Sequence, residues 1–149
     1  MSHLVHSDTI CALGEGTLWH PQTHTLYWFD VLEGKLYASV DQHQSSWSLG
    51  RMVSAAGWVD DTVLLIASER DLFTFDTATG IETHVADLEA DNPVTRSNDG
   101  RADPWGGFWI GTMGKEDQSG AGAIYRYYDG QLRMLYDSLT IPNAICFAP

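Results

Sequence analysis

The sequence has few cysteines and few basic residues. Cys11 and Cys146 are its only cysteines, and they lie far apart without a CxxC spacing. We therefore expect free thiols in a reducing compartment rather than a disulfide framework. Eight Lys and Arg stand against twenty Asp and Glu, which gives a net charge of -12. Nucleic acids and anionic membrane surfaces bind basic faces, so this charge argues against both as partners.

Long hydrophobic runs are also missing. The longest strongly apolar run, residues 63–67, is far too short to cross a bilayer. The first sixteen residues lack the basic and apolar regions of a signal peptide. Hydrophobic residues make up 44% and charged residues 19% of the chain, which is typical of a globular protein with a core. We therefore expect one cytoplasmic domain without a membrane partner.

No segment shows a sustained helical period with caps. Short apolar or aromatic runs separated by turn residues take its place, at 26–29, 63–67, 72–75, 108–111 and 123–128. The last run ends in Asp129-Gly130, which is a strong hairpin signal. The pattern predicts an all-β chain.

A weak repeat divides the chain. Similar openings occur at Leu18–Pro21, Trp58–Asp61, Ala102–Trp105 and Cys146–Pro149, and an apolar run follows each of the first three. Their spacing of roughly 40 to 45 residues is that of a four-stranded propeller blade, which predicts about three blades and the first strand of a fourth. A propeller usually needs at least four blades, so we expect a fragment or a chain that closes by pairing. A three-sheet sandwich with accidental periodicity is the alternative.

Several motifs for catalysis or metal binding fail. His20 and His24 are separated by a proline, so they cannot form a helical zinc pair, and we expect both in a turn. Residues 87–91 alternate acids like a calcium loop, but asparagines replace the required Gly and the final Glu. We expect this segment to be a solvated strand edge or loop. Neither a GxSxG elbow nor a Gly-rich phosphate loop occurs.

Three polar features remain. Glu15 lies between two glycines just before an apolar segment, residues 96–101 form a polar stretch, and Asn143 follows Ile-Pro. The innermost strands of a propeller line its channel, so these side chains could meet at one mouth. Carboxylate and amide oxygens suit a hard cation. The alternatives are an exposed loop acid, a plain turn and a strand cap.

Five motifs occur in a characteristic order: Gly14–Trp19, Arg96–Gly106, Trp109–Met113, Gly122–Arg126 and Ile141–Asn143. Together they resemble the gluconolactonase/regucalcin (senescence marker protein) family, and the resemblance extends from Glu15 to Pro149. It implies an all-β, six-bladed β-propeller about twice as long as this chain. Residues 1–149 would then be the N-terminal half of a single propeller domain.

The resemblance also implies a metal site. Family members hold one divalent metal ion (Ca, Zn, Mg or Mn) through a Glu, an Asn and an Asp. Glu15 and Asn143 match the first two ligands. The Asp, usually taken as the general base, has no counterpart here and is expected beyond residue 149. The catalytic residue is therefore left unassigned.

The family's substrate contacts match Arg96, Asn98 and Glu116, with Lys115 as an alternative to Glu116 because this loop varies. The implied activity is hydrolysis of a sugar lactone, which makes the protein a carboxylic ester hydrolase. The metal would polarise the lactone carbonyl, and Arg96 and Asn98 would hold ring oxygens and hydroxyls.

Two other functions stay open. One is a non-catalytic calcium-binding or scaffold propeller. The other is a half-propeller that pairs with a second copy or a partner through open edges. We expect Trp19, Trp58 and Phe108 to contribute apolar surface to such self-association.

Overall fold

The computed structural model describes residues 5–41 and 43–148, which form three four-stranded antiparallel sheets. The first sheet contains β1 (Gly14–His20), β2 (Thr25–Asp30), β3 (Lys35–Val40) and β4 (His43–Ser48). The second contains β5 (Val53–Trp58), β6 (Val63–Ser68), β7 (Asp71–Asp76) and β8 (Glu82–Asp87). The third contains β9 (Thr95–Ala102), β10 (Phe108–Gly114), β11 (Gly122–Tyr128) and β12 (Gln131–Leu139). Each sheet is a meander in chain order, so the all-β prediction and the count of about three blades are confirmed.

Short turns set this meander. Asp129 and Gly130 have φ angles of 50° and 73°, and they join β11 to β12 as the sequence predicted. Two residues with positive φ form the tight turn that matches the twist of a hairpin. Among the described residues, no helix is long and apolar enough to span a membrane.

The first strand of each sheet lies innermost, and β5 packs between β1 and β9. Side chains of the first two sheets form one apolar cluster, and those of the second and third sheets form another. Phe108 is 3% exposed in the second cluster, so the expectation that it lies on an open face was wrong. It is buried because β10 packs against the second sheet. Trp19 and Trp58 are 54% and 41% exposed, and their part in self-association stays a prediction.

The repeat openings mark the ends of the inner strands, not their starts. His20 is the last residue of β1 and is fully buried, so its placement in a turn was wrong. Its Nε2 lies 2.9 Å from the carbonyl oxygen of Asp60, and its ring packs on Trp58. His20 thus joins the first two sheets. His24 does lie in the turn, with a φ of 53°.

Residues 141–148 form no strand, so the prediction that Cys146–Pro149 begins a fourth blade strand is not met by the described part of this segment. Pro149 lies outside the described residues. The segment still packs on the third sheet, where the Phe147 ring lies 5.5 Å from Trp109 and 6.1 Å from Trp105.

Candidate functional site

Each of the three inner strands has a shift in its pairing register with the neighbouring strand. The pairing register shifts between Glu15 and Leu18 in β1 and between Val53 and Ala55 in β5. In β9, Asn98 and Asp99 together face the single residue Gly111 of β10. Such bulges re-aim side chains and are common next to functional sites. They keep the polar sequences at Glu15 and at residues 96–101 inside strands, where the sequence had suggested segments leading into strands.

A cleft of about 400 Å³ runs along these strands. It is lined by Glu15–Trp19 of β1, Ala56–Trp58 of β5 and Asp99–Ala102 of β9. Two carboxylates, Glu15 and Asp99, therefore border one space. Arg96, Asn98 and Asn143 do not line this cleft, so the predicted meeting of all these side chains stays a prediction.

Equivalent positions of the inner segments carry most of the predicted site. Glu15, Ala55, Asn98 and Asn143 each lie the same number of residues before the turn residue of their repeat opening. Those turn residues are Pro21, Asp61, Pro104 and Pro149. The second sheet supplies only a buried alanine at this position. This alignment of repeats was available in the sequence as a signal for the site.

Arg96 is 8% exposed and lies at the start of β9. Its Nη1 donates to the carbonyl oxygen of Ser97 at 2.9 Å and to Asn98 Oδ1 at 3.1 Å. Burial lowers the pKa of the guanidinium, while the negative charges of Asp117 and Glu15 oppose that shift. Arg96, Asn98 and Glu15 thus share one electrostatic neighbourhood. Arg96 stays a cation, because its unperturbed pKa lies far above neutral pH.

Segment 141–148 docks on β9 through the neighbouring side chains. Asn98 Nδ2 donates to the carbonyl oxygen of Pro142 at 3.0 Å, and the N–H of Ile145 donates to Asp99 Oδ2 at 2.5 Å. Asn143 lies between these contacts. Its exposed side chain accepts a 2.8 Å hydrogen bond from the N–H of Ala144 through Oδ1. Asn98 is therefore close to Asn143, because it is hydrogen-bonded to the carbonyl of the residue that precedes Asn143.

The oxygen donors suit a hard divalent cation but form an incomplete set. Glu15 and Asn143 are both exposed, and an amide oxygen has a second lone pair beyond its contact with Ala144. Calcium takes about six to eight oxygen ligands, so further ligands must come from elsewhere. Within residues 5–41 and 43–148, no cluster of three His, Cys, Asp or Glu side chains could hold a metal.

The two candidates in the loop after β10 differ in their partners. Lys115 Nζ forms a 2.5 Å ion pair with Glu69 Oε2 of the second sheet. The Glu116 side chain is exposed, and its backbone N–H donates to Gln118 Oε1 at 3.1 Å. Lys115 therefore ties two sheets together, while Glu116 faces solvent. This geometry is more compatible with a ligand contact at Glu116.

Glu89 is an acid that the sequence interpretation missed. The segment 87–91 was expected to be a solvated edge or loop, but Leu88 is 1% exposed and Glu89 is half-buried. Glu89 accepts hydrogen bonds from the hydroxyls of Thr95, Thr112 and Tyr125. Asp87 ends the edge strand β8 and a loop follows it, so the expected strand edge or loop is present, but Leu88 is buried and Glu89 is only partly solvated. Only the contacts, all from later in the sequence, reveal this role.

Asp103 occupies the other end of the third sheet. Its carboxylate is fully buried and accepts four hydrogen bonds. The donors are Arg126 Nε at 2.6 Å, Trp109 Nε1 at 2.9 Å and the N–H groups of Gly107 at 2.7 Å and Trp105 at 2.9 Å. Burial raises the pKa of Asp103, but the hydrogen bond from Arg126 and then the others outweigh it and hold the pKa well below its usual range. Asp103 is therefore a structural anion.

Comparison with known proteins gives consistent matches. Residues 13–149 match the family model of the SMP-30/Gluconolactonase/LRE-like region. A Rhizobium meliloti (strain 1021) protein provisionally named sugar lactone lactonase is 39% identical over 151 residues, covering 96% of this chain and 49% of that protein. L-arabinolactonase of Azospirillum brasilense is 33% identical over 150 residues, covering 96% of this chain and 50% of that enzyme.

A solved structure shows the same fold. Regucalcin from Agrobacterium tumefaciens str. C58, described as a calcium-binding protein, is 43% identical with a TM-score of 0.94. The match covers 97% of this chain and 50% of that chain. This chain thus spans about half the length of the relatives it matches, and it matches the resemblance seen in its motifs.

Proposed function

Because the chain belongs to the SMP-30/gluconolactonase/LRE-like family, we propose that it forms part of a sugar lactone hydrolase and supplies contacts to both substrate and metal. The observation that carries this proposal is the placement of Glu15, Arg96 and Asn98 along one set of bulged inner strands. Glu15 would bind a metal cation that polarises the lactone carbonyl, and the buried Arg96 would hold the substrate in place. Ester hydrolysis needs both a polarised carbonyl and a fixed substrate.

Arg96 and Asn98 favour a polyhydroxylated ligand. The guanidinium has five N–H donors, and its two hydrogen bonds in the described structure use Nη1 alone. Its other donors suit ring and hydroxyl oxygens of a sugar lactone. The Asn98 side chain is held by Arg96 and by the Pro142 carbonyl, so it would meet a ligand in a fixed orientation. Glu116 is proposed as a further contact at the rim.

Glu15 and Asn143 would hold the divalent cation, which when bound supplies positive charge at the lactone carbonyl. The relative from Agrobacterium is named as calcium-binding, which supports calcium among Ca, Zn, Mg and Mn. The Asp that the family resemblance implies as third ligand and base has no counterpart among these 149 residues. We therefore assign no catalytic base within the chain.

Calorimetric titration with Ca²⁺ tests the metal assignment. Glu15→Gln should weaken cation binding severely, because it removes the only charged ligand proposed in this chain. Glu33→Gln is the matched control, since it removes an exposed carboxylate from the same sheet. Equal affinity in Glu15→Gln and wild-type protein would contradict the assignment.

A proton-release assay with several aldonolactones tests the reaction in the complete protein, whose remaining half is expected to supply the Asp. Hydrolysis that depends on added cation would support the lactonase. The second candidate function is a non-catalytic calcium-binding propeller, favoured by the name of the Agrobacterium relative. Cation binding without lactone binding or turnover would favour that alternative.

The exposed Trp19 and Trp58 support self-association as a further part of the proposal. Two copies related by a two-fold axis would bring together six sheets. We expect light scattering on the 149-residue chain to show an oligomer. A lactonase assay on the same sample should show no turnover. A monomer that hydrolyses a sugar lactone would refute this expectation. The cytoplasmic location stays a prediction from the sequence.

A further inference from the structure

We propose that Glu89 is a positioning residue that fixes the bulged start of β9 and thereby orients Arg96 and Asn98 toward the ligand. The proposal rests on the proposed function for its final step, because that function makes Arg96 and Asn98 substrate contacts. Glu89 itself lies in the connection between β8 and β9, outside the cleft.

One carboxylate joins three neighbouring strands. Glu89 Oε1 accepts hydrogen bonds from Thr112 Oγ1 of β10 and Tyr125 Oη of β11, each at 2.8 Å. Glu89 Oε2 accepts a hydrogen bond from Thr95 Oγ1, at the first residue of β9. The three donors are all buried, with exposures of 1%, 8% and 1% for Thr112, Tyr125 and Thr95. Glu89 therefore holds together the end of the sheet at which β9 begins.

Glu89 and the hydroxyls of Thr95, Thr112 and Tyr125 form what we call the clamp. The clamp depends on the negative charge of Glu89 and on its two acceptor oxygens. Among residues 5–41 and 43–148, Glu89 takes part in no ion pair, and its side-chain partners there are hydroxyl groups. Burial and then the contact with Glu89 raise the pKa of Tyr125, so its phenol stays a donor. Hydrogen bonds to an ionised acceptor are stronger than neutral ones.

The backbone at Glu89 is also constrained. Its φ of 49° lies in the left-handed region, which costs a non-glycine residue free energy. Such a conformation persists where the surrounding contacts over-determine it, and it often accompanies a functional constraint. Here the three hydroxyls supply those contacts. The chain turns sharply at Glu89 so that one side chain can reach all three strands.

The clamp lies next to the register shift of the site. Thr95 pairs with Gly114 and Arg96 pairs with Met113, and the extra residue of β9 follows directly after Ser97. A strand with a bulge can slip by one residue unless its register is pinned, and a slip turns its side chains to the opposite face. Glu89 pins Thr95 immediately before this point. Arg96 and Asn98 thus keep the orientation in which they contact each other and Asn98 contacts Pro142.

Amide hydrogen exchange and lactone affinity together test the proposal. Glu89→Gln keeps the size of the side chain but replaces one acceptor oxygen with a donor and removes the charge. We expect exchange at Thr95–Asn98 to become about tenfold faster, while exchange in β1 and β5 stays unchanged. Affinity for an aldonolactone should fall about tenfold, and Ca²⁺ affinity should fall less, because Glu15 lies in β1 and Asn143 is tied to β9 indirectly, through Pro142 and Ile145.

Two further variants control the experiment. Asp91→Asn removes an exposed charge from the same connection and should match wild-type protein in every measurement. Tyr125→Phe removes one of the three donors and should give a smaller change of the same kind, which keeps the test usable if Glu89→Gln folds poorly.

Unchanged exchange at Thr95–Asn98 in both clamp variants would overturn the proposal, and so would faster exchange in all three sheets alike. Faster exchange at β9 with full lactone affinity would show that the clamp does not position the ligand contacts. If wild-type protein binds no aldonolactone, the proposed function fails. Exchange, which needs no ligand, then decides whether Glu89 fixes β9.

Discussion

The two ends of the third sheet are each organised around one carboxylate, and the two carboxylates differ in their partners. Asp103 is fully buried and forms an ion pair with Arg126 at 2.6 Å. Glu89 is half-buried, and its side chain is held by three neutral hydroxyls. At the first end, the charge of Asp103 is balanced by that of Arg126, and the Asp103 carboxylate accepts four hydrogen bonds. At the second end, which lies next to Arg96, the Glu89 carboxylate has no cationic partner among residues 5–41 and 43–148.

This difference separates stability from positioning. A buried ion pair with complete hydrogen bonding is strongly destabilised when one partner is removed. Neutral hydroxyls around a half-buried acid form a weaker contact, which can fix the course of a strand without dominating the stability of the domain. We infer that Asp103 mainly stabilises the sheet and that Glu89 mainly orients it.

The largest effect should come from breaking the Asp103 end. Asp103→Asn removes the charge opposite Arg126, and we expect the free energy of unfolding to fall by about 3–5 kcal/mol. Urea denaturation followed by tryptophan fluorescence measures it. Asp76→Asn is the control, because Asp76 accepts only backbone hydrogen bonds, from Ala78 and Thr79 in an exposed turn. Similar losses in both variants would contradict the special weight given to Asp103.

Acid should remove the same contribution gradually. The pKa of Asp103 is lowered by folding, so its stabilisation is fully present above the unfolded value near pH 4 and is lost as pH falls below it toward the folded pKa. The difference in unfolding free energy between wild-type protein and Asp103→Asn should therefore shrink between pH 5 and pH 2. Denaturation curves across this range provide the measurement, and a difference that grows on acidification would reverse the sign of the argument.

A smaller effect is expected beside the bulge of β9. A Cβ on Gly111 would approach Pro142 Cβ to 2.9 Å, so Gly111→Ala should displace segment 141–148 and cost about 1–3 kcal/mol. The amide of Ile145, bonded to Asp99, should then exchange faster with solvent. Normal protection at Ile145 in this variant would show that the segment tolerates the added methyl group.

The smallest change should come from the hairpin between β11 and β12. Gly130 has a φ of 73° with open space around it, so Gly130→Ala costs only the backbone strain, about 1 kcal/mol. The melting temperature reports this loss, and lactone and Ca²⁺ affinities should be unchanged. A loss as large as that of Asp103→Asn would mean that the hairpin matters as much for stability as the ion pair of Asp103 and Arg126.

The sequence predicted the middle strands of each sheet better than the first and last strands. Runs such as Val63–Ala67 of β6 carry an apolar signal because both faces of a middle strand are covered. The outer strands β4, β8 and β12 were not identified, because His43–Ser48 and Glu82–Asp87 consist largely of exposed residues without a clear apolar face. These segments are strands because they pair with a neighbouring strand. A local sequence pattern carries no information about that pairing.

The candidate site was predictable where it depends on repeated positions and hidden where it depends on contacts. Glu15 and Asn98 stand in motifs that the family resemblance identifies, and the bulged strands place them along one cleft or beside it. The residues' local strand propensities do not predict where the bulges occur. Glu89 and Asp103 could not be assigned, because their partners lie up to thirty-six and twenty-three residues away in sequence.

The most direct test of the account compares the start of β9 with the outer edge of the same sheet. Saturation-transfer NMR from the protein to an aldonolactone should give a signal for wild-type protein that is lost in Arg96→Ala and Asn98→Ala. It should persist in Arg133→Ala, which removes an exposed arginine from the edge strand β12. Calcium affinity measured on the same samples should change less than the lactone signal. Equal lactone signals in all three would contradict the claim that the bulged start of β9 forms the substrate-binding part of the site.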